Sequence, residues 1–86
     1  MLAYIGLGSN LENPRVQVEQ ALEELATIPQ SHLLAKSPLY RSAPVGPGDQ
    51  PDYINAAAIL ETSLTPLALL DTLQAIEQGH QRVRIE

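Results

Sequence analysis

The chain has no cysteine, no tryptophan and no phenylalanine, and only five lysines and arginines against ten aspartates and glutamates. Without cysteine there is no disulfide framework, no thiolate zinc site and no thiol nucleophile. Without Phe and Trp the core must be built from Leu, Ile, Val and Ala. A flat ligand could then stack only on Tyr4, Tyr40 or Tyr53, or on residues outside these 86. The formal charge of −5 argues against a nucleic-acid partner, which needs a basic face to displace counterions. A small phosphate ligand stays possible, because a few arginines bind one locally. No apolar run approaches the roughly 20 residues that span a bilayer, so no membrane partner is expected. The N-terminus MLAYIGLGSN lacks a basic leader region and reads as a strand. Cytoplasmic localisation follows as the expectation.

What is present fits one small domain. A chain this short buries roughly 60–65% of the surface its unfolded form exposes, so stability is thin. Leu2 to Leu7 is an apolar run ended by Gly6-x-Gly8 and reads as a buried strand. Asn13 is placed to cap a helix whose first residue is Pro14. Val18, Ala21, Leu22 and Leu25 then recur at helical spacing, opposite Glu19, Glu23 and Glu24, and Pro29 lies beyond the helix end. His32 to Ser37 is a second strand. Ser42 to Asp52, with Pro44, Gly46, Pro47, Gly48 and Pro51, is a loop. Tyr53 to Thr62 alternates: Ile54, Ala56, Ala58 and Leu60 face one way, and Tyr53, Asn55, Ala57, Ile59 and Glu61 the other. Thr65-Pro66 opens a second helix carrying Leu69, Leu70, Leu73 and Ile76, with Gly79 expected to end it.

The order strand–helix–strand–strand–helix is an α+β pattern with an antiparallel sheet. It is a ferredoxin-like βαββα(β) fold whose final strand is missing from this chain. Without that strand the edge of Leu2–Leu7 is open, which invites self-association.

Several residues could carry chemistry. Gly6 to Asn10 is a glycine-bearing strand-to-helix turn, a setting that suits a phosphate, or simply a tight turn. Tyr53 and Asn55 share a strand face beside the Pro/Gly loop. Asn within an otherwise apolar strand is unexpected, since a buried amide costs energy unless bonded. Gln74 and Glu77 lie at i and i+3 on the second helix. Arg82 and Arg84 share a face if extended and could clamp a polyphosphate. Asp49, Asp52 and Asp71 form no obvious magnesium set. His32 and His80 read as isolated surface histidines, and Ser9 has no nearby base to activate it.

Four ordered blocks give these residues a common meaning. They are Ala3-Tyr4-Ile5-Gly6-Leu7-Gly8-Ser9-Asn10-Leu11, Tyr40-Arg41-Ser42-Ala43-Pro44-Val45-Gly46, Asp49-Gln50-Pro51-Asp52-Tyr53-Ile54-Asn55-Ala56-Ala57, and Ile76-Glu77 before Arg82-Val83-Arg84. Together they resemble the 6-hydroxymethyl-7,8-dihydropterin pyrophosphokinases of folate biosynthesis, along the whole chain. The resemblance implies transfer of diphosphate from ATP to the pterin, releasing AMP. It implies pterin binding by Ser42, Ala43, Pro44, Val45, Tyr53 and Asn55. It implies ATP binding by Leu70, Gln74, Glu77, Arg82 and Arg84, with the two arginines also serving catalysis. It implies Mg²⁺ held by an Asp-x-Asp pair which, with a Trp-Gly-Pro-Arg stretch, follows this point in the family. No metal ligand is therefore expected within this chain. Gln81 stands where relatives usually carry Gly, which bears on the aim of Arg82. The expectation is an N-terminal half that is inactive as it stands. The alternatives are a pterin- and nucleotide-binding remnant and a module that associates through its edge strand.

Overall fold

The computed structural model describes residues 1–44, 46, 48–80 and 83–85. In chain order the elements are β1 (Leu2–Ser9), α1 (Pro14–Leu25), β2 (Ser31–Lys36), β3 (Tyr40–Ser42), β4 (Tyr53–Thr62), α2 (Pro66–Gly79) and β5 (Arg84–Ile85). The sheet is antiparallel with order β2-β4-β1-β5, and β3 also pairs with β4. Insertion of β4 between β1 and β2 is the split arrangement of the βαββαβ pattern. The α+β, ferredoxin-like class expected from the sequence is therefore the one observed.

Period-two burial builds the core. Ile5 and Leu7 of β1, with Ala56, Ala58 and Leu60 of β4, point to one face. Val18, Ala21, Leu22 and Leu25 of α1 cover that face, and Leu69 of α2 and Val83 join them. The other face carries Tyr4, Tyr53, Asn55 and Ala57 and has no helix packed on it among the described elements. No described helix is long and apolar enough to cross a membrane.

Thr62 is the buried polar hub. Its hydroxyl accepts from Ser31 Oγ (2.7 Å) and from the Leu64 N–H (3.0 Å), and donates to the Gln30 carbonyl (3.4 Å). It thereby ties the end of β4 to the turn before β2, where Gln30 is left-handed at φ 58°.

The structure corrects several local expectations. β1 runs on to Ser9, so Gly6 and Gly8 lie within the strand and not in a phosphate-cradling turn. The reason is pairing: β4 stays in register as far as Ser9 opposite Ile54, which holds both glycines extended. Asn13 sits at the helix start but in the left-handed region (φ 50°), and its side chain makes no capping bond. Thr65 does cap α2, accepting from the Ala68 N–H at 3.2 Å. That helix ends at Gly79, but positive φ among glycines occurs at Gly46 and Gly48 instead. The sequence reading omitted β3, because three residues with a loop after them carry no periodic signal; cross-strand pairing with β4 creates it. The final strand begins inside the chain: Arg84 and Ile85 pair with Gly8 and Leu7.

Replacing Thr62 with Val leaves the half-buried Leu64 N–H without its acceptor and removes the bonds to Ser31 and Gln30. The expected loss is about 1–3 kcal/mol of unfolding free energy, read from the denaturant midpoint. An unchanged midpoint would mean that the hub contributes nothing net.

Candidate functional site

The outer face of the sheet gathers polar groups at one end. The register puts Gly8 opposite both Asn55 and Arg84, Tyr40 opposite Asn55, and Ser42 opposite Tyr53. Four strands thus present one row of residues, since paired residues in a sheet point to the same side. A cleft of about 500 Å³ lies over this row, lined by Gly6, Gly8, Tyr40, Ser42, Ala43, Tyr53, Asn55 and Arg84 among others.

Within the cleft Asn55 Nδ2 donates to Ser42 Oγ at 2.7 Å. This fixes the amide plane and leaves Oδ1 as an acceptor facing the opening between β4 and β1. Gly8 leaves space there. A Cβ at that position would stand 3.0 Å from Asn55 Oδ1, so the amide would have to shift by a few tenths of an ångström. The glycine makes room for a side chain on the neighbouring strand, a use of glycine that needs no positive φ.

Arg84 is the charged residue of the cleft wall, and no carboxylate among the described residues pairs with it. A guanidinium so placed keeps its donors for an anion. Across the rim, Asn10 Nδ2 reaches the Pro51 carbonyl at 3.5 Å, linking the turn after β1 to the loop before β4.

The structure brings Ser42, Ala43, Tyr53, Asn55 and Arg84 together around one cavity. Pro44 is not on its wall, and Val45 and Arg82 lie outside the described residues. Leu70, Gln74 and Glu77 fall at i, i+4 and i+7 on one side of α2 and do not line the cleft. Leu70 is exposed, and Glu77 Oε2 accepts from the Ile85 N–H at 3.4 Å, so Glu77 also holds the strand that carries Arg84. The sequence reading missed Gly6, Gly8 and Tyr40 as wall residues. The alternation of the two glycines with Ile5 and Leu7 was the available signal, because it marks the face without side chains.

A second cavity, of about 510 Å³, lies at the opposite end of the same face, lined by Tyr4, Ala35, Ala57 and Ile59 among others. Its walls are mostly apolar, with Lys36 and Ser37 at the border. Among the described residues no three His, Cys, Asp or Glu side chains gather as a metal would need. His80 is not isolated as expected, for its ring meets Glu24 of α1.

Comparison with known proteins gives the family. The family model described as 7,8-dihydro-6-hydroxymethylpterin-pyrophosphokinase matches residues 4–86. The chain is 53% identical over 81 residues to the 2-amino-4-hydroxy-6-hydroxymethyldihydropteridine pyrophosphokinase of Pseudomonas aeruginosa, covering 94% of this chain and 50% of the relative. It is 52% identical over 83 residues to the enzyme of that name from Haemophilus influenzae, covering 96% and 52%. The Pseudomonas putida protein of that name is 51% identical over 84 residues, covering 98% and 69%. The chain thus spans about half the length of the first two relatives. With matched residues running through nearly its whole length, it belongs to the 7,8-dihydro-6-hydroxymethylpterin-pyrophosphokinase family.

Proposed function

We propose that these residues form the pterin-recognition half of an enzyme that transfers diphosphate from ATP to 6-hydroxymethyl-7,8-dihydropterin. The observation that carries this reading is the Asn55–Ser42 bond beside Tyr53, with Arg84, which no carboxylate among the described residues pairs, across the same cleft. A pterin edge offers donors and acceptors side by side, which an oriented amide and a hydroxyl match. The Tyr53 ring supplies a flat partner for the bicycle. Ser42, Ala43, Pro44 and Val45 are assigned to the pterin through their backbone.

In the reaction the pterin hydroxymethyl oxygen bonds to the β-phosphorus of ATP. The bond from that phosphorus to the oxygen shared with the α-phosphate breaks, and AMP leaves with that oxygen. Arg84, with Arg82, is assigned to neutralising charge on the transferred group, which is the main demand of such transfer. Leu70, Gln74 and Glu77 are assigned to the nucleotide. Mg²⁺ is the metal this chemistry would use, but the described residues do not supply a set that fits it, and no step here is routed through it. The 86 residues alone are therefore read as binding without transferring. We place the reaction in the cytoplasm, where ATP is abundant.

A second reading, self-association, has its own observation. Met1 exchanges backbone bonds with Thr62 in both directions (2.9 Å each), so odd residues of β1 bond to β4. The N–H and C=O groups of Leu2 and Tyr4 consequently face the other edge, where, among the described residues, β5 pairs with Leu7 and Gly8. An open apolar edge pairs readily with another copy.

Titration calorimetry with a pterin analogue and a non-hydrolysable ATP analogue tests the first reading. Asn55→Ala and Gly8→Ala are expected to weaken the pterin analogue about tenfold. Arg84→Ala is expected to weaken the ATP analogue by a similar factor and leave the pterin analogue unaffected. Absence of pterin binding by the parent chain, or AMP release at an enzymatic rate, would overturn it. For the second reading, sedimentation should show a concentration-dependent dimer that Tyr4→Pro abolishes, since proline removes an N–H on the open edge only. A monomer at every concentration would exclude it.

A further inference from the structure

The arginine of the cleft comes from a strand of two residues, which cannot aim itself. What precedes it does the aiming. The His80 N–H closes the last turn of α2 on the Ile76 carbonyl (3.0 Å), and the His80 carbonyl accepts from the Val83 N–H (2.8 Å). Val83 is buried in the core, and the next residue, Arg84, pairs with Gly8. His80 thus closes α2 and holds Val83, the residue before β5.

Its side chain is anchored across the helix pair. The ring is half-buried, with Nε2 against Glu24 Oε2 and Nδ1 3.4 Å from Gln17 Oε1. Gln17 and Glu24 are seven residues apart, two turns of α1, so both lie on the same side of that helix. The ring thus meets a side-chain oxygen of α1 at each of its two nitrogens. The other polar groups around this recess among the described residues are Gln20 and Glu23 of α1 and Thr27 just beyond it, none of them cationic.

We propose that His80 is a positioning residue for Arg84: clasped between Gln17 and Glu24 of α1, it fixes the carbonyl that binds the Val83 N–H, and so seats β5 on β1 and delivers the guanidinium to the cleft. The value of that delivery to a phosphate ligand rests on the function proposed above. The clasp itself does not, and it is measured without ligand.

The bonding parity of β1 supplies the probe. Met1 bonds to β4, so the even residue Gly8 turns its N–H toward β5, whereas the Leu60 N–H of β4 points into the β1 ladder. Amide hydrogen exchange on the full 86-residue chain, followed by NMR, reads both. His80→Ala is expected to speed exchange at Gly8 and Ile85 by about tenfold or more and to leave Leu60 protected. Glu24→Ala should do the same. The double variant should lose no more than either single, because the two side chains act as one unit. Unchanged Gly8 exchange, equal acceleration at Leu60, or losses that multiply in the double variant would each overturn the proposal. If Arg84→Ala leaves ATP-analogue binding intact while His80→Ala frees Gly8, the functional reading falls and the clasp stands.

Discussion

Eight consecutive pairs join β1 to β4, from Leu2 opposite Glu61 to Ser9 opposite Ile54, and both faces of the protein depend on that register. On the inner face it sets Ile5 beside Ala58 and Leu7 beside Ala56, under α1. On the outer face it sets Gly8 beside Asn55. A slip of one residue would turn every side chain of β1 over. Ile5 and Leu7 would then meet water, and the glycine that makes room for the Asn55 amide would be replaced by a side chain.

The core that enforces this register is wholly aliphatic. Leu25, Leu60 and Val18 are the largest fully buried apolar side chains, and no aromatic ring helps fill the space beneath the sheet. Small residues on the central strands, Ala56 and Ala58, let α1 approach closely. The three tyrosines are left for the surface, where Tyr40 and Tyr53 line the polar cleft and Tyr4 stands on the apolar end of the same face. The residues spared from packing are thus the ones available to a flat ligand.

The cleft shows how a small sheet gathers polar groups from residues distant in sequence. Ser42, Asn55, Gly8 and Arg84 come from four strands, and none lies within ten residues of another. Their assembly requires β3 and β5, the two shortest strands, whose stability is borrowed from neighbours. Glu77 bonds the backbone of β5, and Ser42 is held by Asn55 itself.

Much of the fold was legible in the chain. Both helices announce themselves by proline at the first position and leucine at helical spacing, and β4 by strict alternation from Tyr53 to Thr62. These are local signals, set by the 3.6- and 2-residue periods of the backbone. The pairing of Tyr53 with Asn55 on one face, and their grouping with Ser42 and Ala43, was legible for the same reason together with the family resemblance. What the sequence left open was everything that depends on partners across the sheet. β3, the strand character of Gly6 to Ser9, the left-handed Asn13 and the His80–Glu24 contact are of this kind. Each is decided by hydrogen bonds or charges on another element, and no periodicity within a segment records which element that will be. The sequence by itself determined which residues are apolar and which alternate. Only the tertiary structure decided that Gly8 would make room for Asn55 and that Arg84 would face them both, because those facts belong to the register between strands and not to any one strand.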